Sequence, residues 1–198
     1  MVIALKSDRF FRISFHNGIR YFRNAFIFFG ASFLARYILG LLSDLRVSNI
    51  EIVKVIFEYL IIMAGFFLFY SLIWKKFASR KEYSSMINSK ITVFHLMAIT
   101  LAIMDTLWHT YNFMFFSQII IFIYTSVISF TNYLRNSGKR KFLKFYFIGM
   151  LLVLSAWTLN FLAASVFQWN PLILINIGII NVIFFFLFLY GIIKVTKK

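Results

Sequence analysis

Residues 91–130 read ITVFHLMAITLAIMDTLWHTYNFMFFSQIIIFIYTSVISF, an apolar run in which Asp105 is the single acidic residue and no Lys or Arg occurs. As one helix rising 1.5 Å per residue it would be roughly 60 Å long, twice the ~30 Å of hydrocarbon in a bilayer. The run therefore reads as two membrane spans, 91–109 and 113–132, joined by a tight turn near His109-Thr110-Tyr111-Asn112. That division sets the parity of the whole chain.

Four more apolar stretches flank it, at 24–43, 52–74, 143–166 and 171–193. Each is close to the ~20 residues that crossing hydrocarbon requires. The Lys and Arg residues then fall in alternate gaps. Arg20 and Arg23 precede the first span, Lys75, Lys76, Arg80, Lys81 and Lys90 join the second to the third, Arg135, Lys139, Arg140, Lys141 and Lys144 join the fourth to the fifth, and Lys194, Lys197 and Lys198 close the chain. In the opposite gaps only Arg46 and Lys54 appear, offset by Asp44 and Glu51. Short loops rich in Lys and Arg stay in the cytoplasm, so the pattern predicts six spans in three in-out-in hairpins with both termini cytoplasmic, in a cell membrane. Five spans or seven would strand a basic cluster outside.

Composition agrees. The 198 residues are 62% hydrophobic, 21% aromatic and 14% charged, more apolar side chain than a soluble core of this size hides. A formal charge of +15 would ordinarily point to nucleic acid, but these cations sit in short linkers beside apolar spans and form no folded basic face. With no cysteine, disulfides, thiolate metal sites and dithiol redox chemistry are excluded. About twenty polar and basic residues precede the first span, so it is expected to persist rather than be cleaved as a signal peptide.

Residues 1–23 form a separate unit in this reading. Arg9, Arg12, His16, Arg20 and Arg23 recur at three- and four-residue steps and share one helical face, with Phe10, Phe11, Phe15, Ile19 and Phe22 on much of the rest. The pattern predicts an amphipathic helix in the cytoplasmic interface, its cations on anionic lipid headgroups and its rings among acyl chains. Gly18 is expected to weaken or break it. A docking surface for a cytosolic partner is the alternative. Beyond it lie one transmembrane domain, 24–193, and a basic tail, 194–198.

Ionisable groups inside a span need a partner, a hydrated pocket or a route to the interface. Arg36, Glu58, Asp105, His109, Asn160 and Asn176 all fall at about the same outer depth, on five of the six spans. His95, Ala98, Ala102, Asp105 and His109 share one narrow helical stripe, as do Gln118, Thr125, Ser129 and Asn132, and as do Ser32, Arg36 and Gly40. These small and polar stripes are expected to face the bundle interior, with bulky Phe and Ile toward lipid. The six outer groups are then expected to ring an outward-opening cavity for a small polar or anionic ligand, with Arg36 as anion contact and Asp105 orienting His109. The structural alternative pairs Glu58 locally with Lys54, lets Arg36 snorkel or join Glu58, and uses the Asn residues as interhelical glue. Trp74, Trp108 and Trp169 read as interface anchors and Trp157 as a deeper ring.

Other chemistries fit less well. Bis-histidine ligation of two haems needs four imidazoles and the chain has three, leaving a single haem on His95 or His109 as the remaining cofactor alternative. Proton-coupled transport would use the Asp105–His109 pair, but no Gly- or Pro-broken helix marks mid-membrane. Neither a nucleophile turn, a paired-histidine metal motif nor a phosphate loop is present, so a non-enzymatic role is expected. In six-span count, inward termini and an outward polar cavity, the chain is similar to the substrate-binding subunits of vitamin importers that work with a separate cytosolic motor, although it lacks a long outer loop. That resemblance implies a transporter component or sensor with a possible partner subunit, against the alternative of a structural subunit in a larger membrane complex.

Overall fold

A computed structural model describes residues 17–45, 50–77, 89–135 and 141–196, together with Ile3 and Leu5. It is all-helical: α1 (Asn17–Asp44), α2 (Glu51–Phe77), α3 (Ser89–Leu107), α4 (Asn112–Arg135), α5 (Lys141–Ser165) and α6 (Pro171–Thr196), with no strand among the described residues. All six are long and apolar enough to cross a bilayer, which makes this a multi-pass membrane protein by length and composition. The long run from Ile91 to Phe130 does divide, across Trp108–Tyr111.

α1 runs from Asn17 with Gly18 in its first turn, so Arg20 and Arg23 belong to the first long helix. Arg9, Arg12 and His16 lie outside the described residues. Gly18 is there for packing: a Cβ on it would sit 2.6 Å from the Trp74 indole nitrogen and 2.8 Å from the Ser71 carbonyl oxygen. Only a residue without a side chain lets α1 and α2 approach this closely.

α2 is the hub. Its stretch Ile61–Leu68 is entirely buried, and its backbone packs against α1, α3 and α4. α4 continues to α5 and α5 to α6, while α3 stands outside, leaning on α2 and α4. Glycines set two of these approaches: Gly65 on α2 faces the Gln118 amide of α4, and Gly149 on α5 faces the Phe188 ring of α6.

The remaining seam, between α1 and α6, is of another kind. No Cα of one comes within 8 Å of a Cα of the other, and rings fill the gap. Phe22 and Phe26 reach Phe188 with centroids 5.3 and 5.6 Å apart, Phe26 stacks on Phe184 at 6.1 Å, and Phe29 and Phe33 meet Phe185 at 6.3 and 5.9 Å. The expectation that bulky Phe faces lipid is therefore corrected. Phe22, Phe26, Phe29, Phe184 and Phe188 are buried because large rings span a separation that small residues cannot fill. Helices α1, α2, α4, α5 and α6 thus close a ring, four contacts made by backbones and one by aromatics.

Candidate functional site

Inside that ring, at the end where α1 finishes, α2 begins and the 108–111 and 166–170 turns lie, is a cavity of ≈ 340 Å³. α1 contributes Phe29, Phe33, Arg36 and Leu39; α2 contributes Phe57 and Ile61; Tyr111, Met114 and Phe115 come from the start of α4 and the turn before it. From α5 come Val153, Ala156, Trp157 and Asn160, and from α6 Asn181, Phe184 and Phe185, with Trp169 from the turn between them. Nine of the lining residues carry aromatic rings, whereas Arg36 is the one charged group and Asn160 and Asn181 the two amides. The size is that of a small-molecule site, mostly apolar with few polar groups.

Local chain geometry places the Trp169 ring. Ser165 ends α5, and Gln168 and Trp169 take left-handed φ angles of 46° and 60° as the chain reverses. The Trp169 amide donates back to the Ala163 carbonyl at 2.8 Å, which folds the turn over the cavity. Asn170 then caps α6, its Oδ1 accepting the Leu172 amide at 2.9 Å, with Pro171 at the first helical position where its missing N–H is no loss. Phe115 bridges Trp157 and Trp169 at 6.1 and 6.3 Å.

Of the six residues expected to ring a site, Arg36 and Asn160 line this cavity. Arg36 is exposed and has neither an ion pair nor a hydrogen bond among the described residues. Asn160 donates one amide hydrogen to the Ala156 carbonyl of its own helix at 2.9 Å, leaving its oxygen free to accept. Glu58, Asp105, His109 and Asn176 are not part of the lining.

Asp105, fully buried, holds α3 to α4. One carboxylate oxygen accepts the Thr110 hydroxyl at 2.9 Å and the Phe113 amide at 3.0 Å, and the other accepts the Met114 amide at 2.6 Å. These are amides from the first turn of α4, where a helix wants an anion. His109, expected to pair with Asp105, instead terminates α3 at φ 51°. Its amide reaches the Thr106 carbonyl at 3.2 Å while the Thr110 amide reaches that of Asp105 at 2.9 Å, the paired bonds of a Schellman cap. The imidazole is left exposed.

Lys54 completes the same junction. Its ammonium donates to the Thr110 carbonyl at 2.9 Å and to that of Asp105 at 3.4 Å, lies 3.7 Å from Glu58 Oε1, and sits 4.3 Å above the Tyr111 ring. Glu58 therefore has the local partner and not Arg36. Burial holds the Tyr111 phenol above its ordinary value, with Glu58 and Asp105 adding to the effect and Arg36 opposing it.

Asn176 is exposed and returns its amide to the Leu172 carbonyl at 2.8 Å. Asn181 is the α6 amide that meets the cavity, and Ile177, Asn181, Phe184 and Phe188 at steps of four, three and four could have marked it as inward-facing. His95 Nδ1 is hydrogen-bonded with the Tyr59 hydroxyl at 2.8 Å among Phe28 and Phe67.

The chain is thus an all-α, multi-pass membrane protein with one aromatic-lined, singly cationic cavity. No protein-family model, curated protein or solved structure matches it.

Proposed function

We propose that this protein is a non-enzymatic membrane module that binds a small ligand bearing an anionic or polar group in the cavity around Arg36, as a sensor or a component of a transporter. The observation that carries this is the state of Arg36: it lines an aromatic cavity that Asn160 and Asn181 also line, with no protein anion satisfying it among the described residues. A charge in a membrane span is costly unless it reaches the interface or meets a partner, and an anionic group in the cavity would be such a partner. Guanidinium and carboxamides match a carboxylate or phosphate, and the rings match an apolar body.

The orientation follows from charge. The cavity lies at the end opposite Arg20, Arg23, Lys90, Arg135, Lys144 and Lys194, so by the positive-inside rule it opens outward, the helices form three hairpins and both termini are cytoplasmic in a cell membrane. The basic inner face, with the segment before Asn17, engages anionic lipid headgroups or a partner subunit. A structural role in a larger complex is the second reading, favoured by the way Lys54, Glu58 and Asp105 are spent on joining helices.

Trp157 and Trp169 supply the test. In lipid nanodiscs, a panel of small carboxylates and phosphates should change tryptophan fluorescence saturably in the native chain. Arg36→Gln should abolish that change while leaving the thermal transition in place. An equal response in Arg36→Gln removes the proposal.

A further inference from the structure

Resting on that reading, we infer that the ligand is a bilayer-dissolved amphiphile with a single anionic group, and that it enters sideways through the α1–α6 seam.

The first observation is the seam. Among neighbouring helices around the ring, α1 and α6 alone keep all their Cα atoms more than 8 Å apart. Near the cavity, side chains close it: Phe33 on α1 and Phe185 on α6 meet edge to face at 5.9 Å, and both are cavity walls. Two rings turning about χ1 open a path that no backbone contact obstructs, whereas α1–α2, α2–α4, α4–α5 and α5–α6 are sealed by direct backbone approach.

The second observation is exposure on that flank. Phe33 is 41% exposed, and Arg36, one turn along, is exposed as well while lining the cavity. Their neighbours Leu34, Tyr37 and Ile38 are exposed apolar surface on the same helix. Arg36 lies eight residues before the end of α1, about 12 Å along the axis, within reach of the headgroup layer for a long snorkelling side chain. A guanidinium at that level and a ring-lined hollow beside it reproduce the polarity gradient of the bilayer.

The third is the lining itself. A strongly hydrated anion arriving from water would give up its shell for one cation and two amides and leave nine aromatic residues without apolar contact. An amphiphile makes the polar contacts and covers the rings too. A volume of ≈ 340 Å³ lies at the small end of the range for small-molecule sites. It admits one headgroup with a ring or the first part of one chain, not a two-chain phospholipid.

The chain's lack of cysteine makes the seam directly testable. In the double variant Phe33→Cys, Phe185→Cys, the backbone separation exceeds disulfide reach, so a reducible bifunctional thiol reagent would bridge the seam. Reconstituted protein is mixed with vesicles carrying a bromine-labelled fatty acid, and the rate of tryptophan quenching in excess of that in Arg36→Gln is followed. Benzoate, delivered from water, is the second probe. Bridging should slow the fatty-acid phase about tenfold or more, and cleaving the bridge should restore it, which separates a blocked path from a damaged fold. An unchanged rate after bridging overturns lateral entrance. Arg36-dependent binding of benzoate without the fatty acid overturns the amphiphile and leaves the proposed cavity function intact. Arg36-dependent binding of neither probe overturns both.

Discussion

The carboxylate of Asp105 accepts the backbone amide of Met114 at 2.6 Å, so the end of α3 is fastened to the beginning of α4 by a buried anion on a helix N-terminus. Three donors converge on this one side chain. Asp105→Asn keeps one acceptor oxygen but turns an N–H₂ toward an N–H donor and removes the charge that the helix dipole favours. It should lower stability by about 2 kcal/mol, and Asp105→Ala by about 3 kcal/mol or more, since buried amides are then left unpaired. Thermal unfolding in detergent measures both, with ligand response per folded molecule unchanged in Asp105→Asn. A native transition in Asp105→Ala would show that the junction does not depend on this carboxylate.

Lys54 and Glu58 form a second test of the same junction. Glu58 is fully buried with no hydrogen bond to either oxygen among the described residues, and Lys54 at 3.7 Å is its ion-pair partner. Lys54→Met takes the partner from a fully buried carboxyl and should destabilise by about 1–3 kcal/mol. Adding Glu58→Gln to Lys54→Met should recover part of that loss, because the carboxyl that Lys54 partners is then gone. Chemical denaturation of the two singles and the double closes the cycle; strict additivity would deny the coupling.

His109 predicts an increase in stability. At φ 51° a Cβ is strained, and glycine is the usual residue at this position of the cap. The imidazole is exposed, so His109→Gly should stabilise by about 0.4–1 kcal/mol while His109→Val destabilises by more. The same melting experiment reads the sign. Loss of stability in His109→Gly would mean that the ring makes a contact worth more than the strain.

How much of this was legible in the sequence differs from residue to residue. The helices were legible because hydrocarbon thickness and loop charge are long-range constraints written in many residues at once, and the turn after Trp108 followed from length alone. Ala98, Ala102 and Asp105 were correctly placed on one buried stripe, because helical periodicity is local. What Asp105 touches was not legible: its partners are main-chain amides, which leave no mark in residue identity. Pairing it with His109 by i,i+4 spacing failed because α3 has already ended at Leu107, so the helical geometry that the pairing assumed is gone. Burial of the phenylalanines was missed because membrane helices give no solvent contrast, so a large ring suits lipid and interior alike.

The glycines separate packing from tolerance. A Cβ at Gly149 would strike the Phe188 ring, which is locked among Phe22, Phe26, Tyr146 and Phe184. At Gly65 it would meet the Gln118 oxygen at 2.7 Å, the far end of a side chain that can turn. Nothing lies within 4 Å of the corresponding point at Gly40 or Gly178. Gly149→Ala should therefore cost about 1–3 kcal/mol and Gly65→Ala less, whereas Gly40→Ala and Gly178→Ala gain up to about 1 kcal/mol from helix propensity. A thermal-shift series over the four alanines gives the order, and a neutral Gly149→Ala would contradict the close α5–α6 approach.

Asn181 and Asn176 offer the sharpest discrimination at the site, since they are the same residue type on the same helix, one inside the cavity and one outside it. Asn176 already spends its amide on the Leu172 carbonyl and faces away, so Asn176→Ala should leave ligand affinity unchanged. Asn181 lines the same cavity as Arg36 and offers a donor and an acceptor to a ligand held there. Asn181→Ala should weaken binding by about 1 kcal/mol, the net worth of one hydrogen bond, or roughly fivefold in Kd. Titration of tryptophan fluorescence in nanodiscs compares the two directly. If Asn176→Ala weakened binding and Asn181→Ala did not, the ligand would lie against the outer face of α6, and the cavity would be empty space in a structural bundle.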